Sequence, residues 1–74
     1  NMNRNVFKYY LRISGLNKKD LASILNLSYG SVNNWGTSTP YPVWLPVFFE
    51  LYIKAKKFDS IVKMLEESKL TKQV

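Results

Sequence analysis

Residues 16 to 36, LNKKDLASILNLSYGSVNNWG, constrain this chain more than any other stretch. Leu21, Ala22 and Leu25 fall at helical spacing, the phase breaks at Asn26-Leu27, and Val32 and Trp35 restart it. That pattern predicts two short helices packed across a tight turn. The first opens on a readable device: Asn17 stands three residues before Asp20, with Leu16 and Leu21 on either side of the start. This is a capping box with a hydrophobic staple, written with Asn and Asp. Ser28 repeats the cap one helix later, with Leu27 and Val32 as its staple. Asn26, between the two, suits the left-handed conformation that ends a helix.

In a helix starting at Tyr29, residues 29, 30, 33 and 34 share one face, and Val32 and Trp35 turn inward against Ala22 and Leu25. Ala22 is small because the helices cross closely there, and Trp35 is expected in the core. The outward ridge, Tyr29, Gly30, Asn33 and Asn34, is polar and uncharged. A helix with such a ridge outward and a partner behind it fits a DNA major groove. Asparagine can bond adenine at N6 and N7, and a tyrosine ring can meet a thymine methyl. Gly30 would let backbone approach the bases. Lys18 and Lys19 stand at a helix N-terminus, where the dipole disfavours cations and favours an anion, so a docking phosphate would resolve the conflict. Asn17, Ser28, Ser31, Thr37 and Ser38 complete the expected phosphate contacts. No arginine lies on the ridge to fork a guanine, so an A·T-rich contacted core is expected.

Composition agrees with a nucleic-acid reading and narrows the alternatives. The net charge is +6 over 74 residues. Up to residue 40, Arg4, Lys8, Arg12, Lys18 and Lys19 face only Asp20, so the excess gathers around the helical pair. A basic face favours polyanions through counterion release. The chain has no histidine and no cysteine. No general acid–base pair, metal-ligand set or glycine-rich phosphate loop is legible, so neither catalysis, metal nor cofactor is expected. The longest apolar stretch, residues 43 to 49, is far too short for a bilayer, and no secretory signal is legible; a cytoplasmic protein is the expectation.

The whole chain reads as one all-α domain, 1 to 74, of five helices. Residues 4 to 14 form the first, with Phe7, Tyr10 and Leu11 on one side and Gly15 as its cap. GTSTPYP, 36 to 42, is a loop. A fourth helix runs from about 43 to 57, with Leu45, Phe48, Phe49, Tyr52 and Ile53 available for burial. The pattern restarts around Phe58-Asp59-Ser60 for a fifth, with Ile61, Val62, Met64 and Leu65, and Thr71 to Val74 are expected to fray. Tyr41, Trp44, Phe48, Phe49, Tyr52 and Phe58 are more aromatic surface than so small a core hides. Surplus of this kind is typically an interface. Trp44, Phe48 and Phe49 are therefore the candidate anchors of a homodimer built from the helices within 43 to 69.

The string LA-x-x-L-x-L-S-x-x-x-V-x-x-W, here Leu21-Ala22, Leu25, Leu27-Ser28, Val32 and Trp35, resembles the helix-turn-helix of phage Cro and repressor proteins, the XRE-like family. The resemblance spans roughly residues 4 to 68, with the motif at about 17 to 36. It implies a compact five-helix lambda-repressor-like domain that binds double-stranded operator DNA, usually as a dimer, as a transcriptional regulator. Two positions depart from the pattern. Asn26 stands where glycine is usual, and Tyr29 where glutamine is frequent, so the family's base preference does not carry over. The competing expectation is a protein-binding helix-turn-helix module, such as an antitoxin or an RNA polymerase-binding factor, because fold alone does not decide function.

Overall fold

The computed structural model describes residues 2–72, and among them it is helical with no strand. Helix α1 spans Arg4–Ser14, α2 Lys18–Leu25, α3 Tyr29–Asn33 and α4 Leu45–Lys72. The caps read from the sequence are formed. Asn17 Oδ1 accepts from the Asp20 N–H at 2.7 Å, and Asp20 Oδ2 accepts from the Asn17 N–H at 3.3 Å. Ser28 Oγ accepts from the Ser31 N–H at 3.1 Å and so starts α3. Helices α1 and α2 both end in a left-handed residue, Gly15 at φ 73° and Asn26 at φ 58°. After each, the next N–H reaches back over the last turn, Leu16 to the Leu11 carbonyl at 3.1 Å and Leu27 to that of Ala22 at 2.9 Å. That is the Schellman closure, and it satisfies carbonyls that the helix leaves open.

Phe7, Leu21, Ala22, Val32, Leu45 and Phe49 are buried and form one core, with Leu11, Leu16, Leu25, Trp35, Tyr41 and Phe48 packed around it. Phe7 is its hub. Its ring lies edge-on to Trp35 at 6.2 Å and to Phe49 at 6.1 Å, and tilted to Tyr41 at 5.2 Å. One α1 side chain thereby binds the segment after α3, the loop before α4 and α4 itself. Full burial of such a ring contributes roughly 1.5–3 kcal/mol, so a core this small leans on each member. Tyr10 lies flat on Phe49, 5.0 Å between centroids. Burial first, and the neighbouring Glu50 carboxylate next, push the Tyr10 phenol above its ordinary range.

Two expectations fail at α4. Among the described residues there are four helices rather than five, because α4 runs unbroken from Leu45 to Lys72. Asp59-Ser60 could cap a helix, but no glycine or proline follows Pro46 to stop one, and Ala55-Lys56-Lys57 sustain it. The start lies at Leu45 rather than Val43; the Trp44 carbonyl accepts the Phe48 N–H at 3.0 Å. Pro46 sits in the first turn, where its missing N–H costs nothing. The domain is also not compact. Its radius of gyration is 16.3 Å, against about 11 Å for a compact chain of this length. The cause is α4, whose 28 residues extend about 42 Å. Of the segment expected to fray, Gln73 and Val74 lie outside the described residues. No helix among the described residues is long and apolar enough to cross a membrane.

Gly36 closes the loop after α3 at φ +85°, its N–H donating to the Thr39 carbonyl at 2.7 Å. A Cβ there would fall 2.6 Å from the Tyr41 hydroxyl oxygen, whereas one on Gly30 would meet nothing within 4 Å. In urea unfolding followed by circular dichroism, Gly36→Ala should cost at least ~2 kcal/mol. Gly30→Ala should change stability by under ~1 kcal/mol, in the stabilising direction, because alanine is the better helix former.

Candidate nucleic-acid interface

Helices α2 and α3 meet through Ala22 and Val32, which keep 4% and 1% of their surface exposed. The turn between them is only Asn26 to Ser28, so the angle of α3 follows from the left-handed Asn26 and the Ser28 cap. Trp35, past the end of α3, is half-buried against the core and faces Trp44 edge-on at 6.3 Å. Its core role is as expected. Tyr29, Gly30, Asn33 and Asn34 are all exposed, so the four residues expected on one outward ridge are brought together there.

Two adjoining clefts border that ridge on its α1–α2 side, one beside Tyr29 and one beside Asn33 and Asn34. The first lies at the start of α2 and is lined by Leu11, Arg12, Leu16, Asn17, Lys18, Lys19 and Tyr29. The second lies between α1 and the end of α3. Its polar lining is Arg4, Lys8, Lys18, Asn33, Asn34 and Thr37. Lys18 belongs to both. Neither lining contains a carboxylate. Asp20, the one acid before residue 40, is occupied in the α2 capping box. The clefts are therefore one basic surface along the α1–α2 side of a neutral polar ridge, whereas the cleft lined by Ser28, Gly30, Ser31, Asn34, Trp35 and Thr39 carries no charge.

The expected phosphate contacts divide. Lys18 is half-buried, and its Nζ donates to Asn33 Oδ1 at 3.0 Å, tying α2 to α3. That bond gives the ammonium a role within the fold, and it occupies the oxygen that a bidentate adenine contact would need. Lys19 is exposed. Asn17 uses its side-chain oxygen in the cap, which leaves its amide nitrogen to donate. Ser28 and Ser31 share one hydrogen between their hydroxyls at 2.9 Å, so the pair retains a single O–H for an anion. Thr37 is exposed, but its hydroxyl is already engaged. Its hydroxyl donates to the Asn34 carbonyl at 2.9 Å, as that of Thr39 does at 3.2 Å, and both hold the turn that ends α3. Ser38, between them, is exposed.

Arg4, Lys8 and Arg12 were counted only as net charge in the sequence, yet they line the clefts. Their spacing was a usable signal: residues four apart stack on one helix face, so a row of three cations was legible on α1. Such a row costs a few tenths of a kcal/mol per pair in like-charge repulsion. Of the expected dimer anchors, Phe49 is excluded as it stands, being wholly buried in the core. Phe48 is half-buried, packed on Phe49 and stacked with Tyr52 at 5.9 Å. Trp44 remains 46% exposed. The surplus of aromatics was real, but a ring cluster around Phe7 and Phe49 absorbs most of it.

Comparison with protein-family models, with curated proteins and with solved structures yields no match.

The close approach of α2 and α3 has a direct test. Ala22→Leu should destabilise the chain by about 1–3 kcal/mol, because the added carbons have no space between the helices. Ser23→Leu, on the exposed side of the same helix, should change unfolding by under ~0.5 kcal/mol.

Proposed function

We propose that this chain is a sequence-specific double-stranded DNA-binding protein, a transcriptional regulator of the repressor type acting in the cytoplasm without catalysis. In this reading α2 and α3 are a helix-turn-helix, and α3 enters the major groove. One observation carries it: the neutral polar ridge of α3 borders, along its α1–α2 side, two adjoining clefts lined by Arg4, Lys8, Arg12, Lys18 and Lys19 with no carboxylate. Cations along one side of a groove-reading helix sit where a phosphate backbone would run, and phosphate contacts fix register while base contacts specify. A polyanion would also relieve the like-charge row on α1. Lys18 adds a coupling between the two kinds of contact. When its ammonium turns to a phosphate, Asn33 Oδ1 is released to accept from adenine N6. Two such domains would read a palindromic operator as a homodimer. A protein-binding role for the ridge is less well supported, because Lys8, Lys18 and Lys19 line the clefts beside it and lysine is depleted at protein interfaces.

Selection from random duplex DNA, with affinity then read by fluorescence anisotropy at two salt concentrations, tests this. An enriched, A·T-rich motif is expected, and Asn34→Ala should weaken it by about 1–3 kcal/mol while relaxing preference at one position. Arg4→Gln and Lys8→Gln should instead weaken all sequences alike and lower the salt slope by about one unit each. Weak, steeply salt-dependent binding with no enriched motif would overturn sequence specificity.

A further inference from the structure

A groove apart from the clefts beside α3 lies between the end of α1 and the middle of α4. It is lined by Ile13, Ile53, Lys56, Lys57, Ser60 and Ile61. Its origin is local. The chain leaves α1 through the left-handed Gly15 and turns away into α2, while α4 runs on to Lys72. From Lys54 to Ser68 every side chain of α4 except Val62 is exposed. Ile13 and Ile61 keep 44% and 55% of their surface exposed, and Ile53 is half-buried.

The groove is apolar along its floor and cationic at its edges. Successive residues of a helix project about 100° apart, so Lys56 and Lys57 stand on the two edges of the strip that carries Ile53 and Ser60. Met64, four residues past Ser60, prolongs that strip and is exposed. The Lys56 ammonium lies over the Tyr52 ring at 5.7 Å. Among the described residues neither Lys56 nor Lys57 has a carboxylate partner. Glu50, one turn before Ile53, accepts from the Tyr10 hydroxyl at 3.5 Å, and neither it nor Asp59 lines the groove.

We infer that this groove binds an acidic amphipathic helix of another protein. An apolar groove takes the apolar face of a helix, with anchors three and four residues apart. The anchors here meet Ile13, Ile53 and Ile61, and carboxylates on both flanks of the incoming helix meet Lys56 and Lys57. Lysine is scarce at the centre of protein interfaces, but the rim is polar, and both lysines stand on the rim with isoleucine between them. The charge complementarity selects against the other occupants. A second copy of this chain brings a net charge of +6 and is repelled. Nucleic acid satisfies the lysines but has no aliphatic ridge to cover the isoleucines, and a flat bilayer does not enter a concave groove. No residue of the groove lines the clefts beside α3, so a bound partner leaves the ridge free. The inference does not rest on the DNA reading.

Selection of a displayed library of random helix-length peptides on the whole chain tests it, with affinity then read by fluorescence anisotropy. The enriched peptides should carry aliphatic residues three and four apart with Asp or Glu on both flanks. Lys56→Glu together with Lys57→Glu should weaken such a peptide at least about tenfold, because like charges then meet along both edges. Replacing the peptide's acids by lysine should restore binding to that double variant. Ile61→Asp should weaken binding at least about tenfold through the floor. Tryptophan fluorescence from Trp35 and Trp44 should stay unchanged in each variant, reporting an intact body. No enriched class, enriched peptides without acids, or binding indifferent to the lysine reversal overturns the assignment. So does a loss of duplex DNA affinity in the double variant as large as that in Arg4→Gln, which would place both lysines on a polyanion surface. Self-association in sedimentation that Ile61→Asp abolishes also overturns it, because the occupant is then a second copy.

Discussion

The position of every functional group in this domain depends on the packing of Phe7. Its ring joins α1 to Trp35, Tyr41 and Phe49, and so sets the end of α3, the following loop and the start of α4 against one helix. The same helix turns Arg4, Lys8 and Arg12 outward at four-residue spacing, where they line the clefts beside α3. The distance from the cations of α1 to the ridge of α3 is therefore a property of the aromatic cluster, not of any contact between charged side chains. With so few buried residues, there is little redundancy in that arrangement.

How far the fold was legible depended on whether its cause was local. The caps at Asn17 and Ser28 and the left-handed Asn26 are fixed by side chains within a few residues of one another, and all are formed as read. The inward Val32 and Trp35 and the outward ridge follow from helical phase alone. The count of helices was not legible from the same kind of signal. A change of apolar phase near Phe58 looks the same whether a helix ends or a helix changes the face it buries, and only a breaker distinguishes the two. None stands there.

The site was legible in its ridge and only partly in its rims. Whether Thr37 offers its hydroxyl to a ligand depends on where the Asn34 carbonyl lies, which is set by the turn geometry that closes at Gly36. Whether Lys18 is a rim cation or a tie to Asn33 depends on the crossing of α2 and α3. Phe49 illustrates the opposite error. Surplus aromatic content predicted exposure, but rings packed edge-on and stacked against each other fill a small interior efficiently, and Phe49 takes the centre. The exposed apolar surface left over is aliphatic in large part, and much of it lies on α4.

Two surfaces of opposite character thus remain on one small body. The α3 ridge and its clefts carry amides, hydroxyls and cations, whereas the far face of α4 carries Val47, Leu51, Phe58, Ile61 and Leu65. A single partner rarely suits both, because the first rewards polar, charge-complementary contact and the second rewards exclusion of water. They also lie on different elements, so a substitution on one need not disturb the other. The division of labour follows from that separation. The short helices α2 and α3 hold a small polar surface through caps and close packing, and the long helix α4 carries exposed apolar residues away from the body.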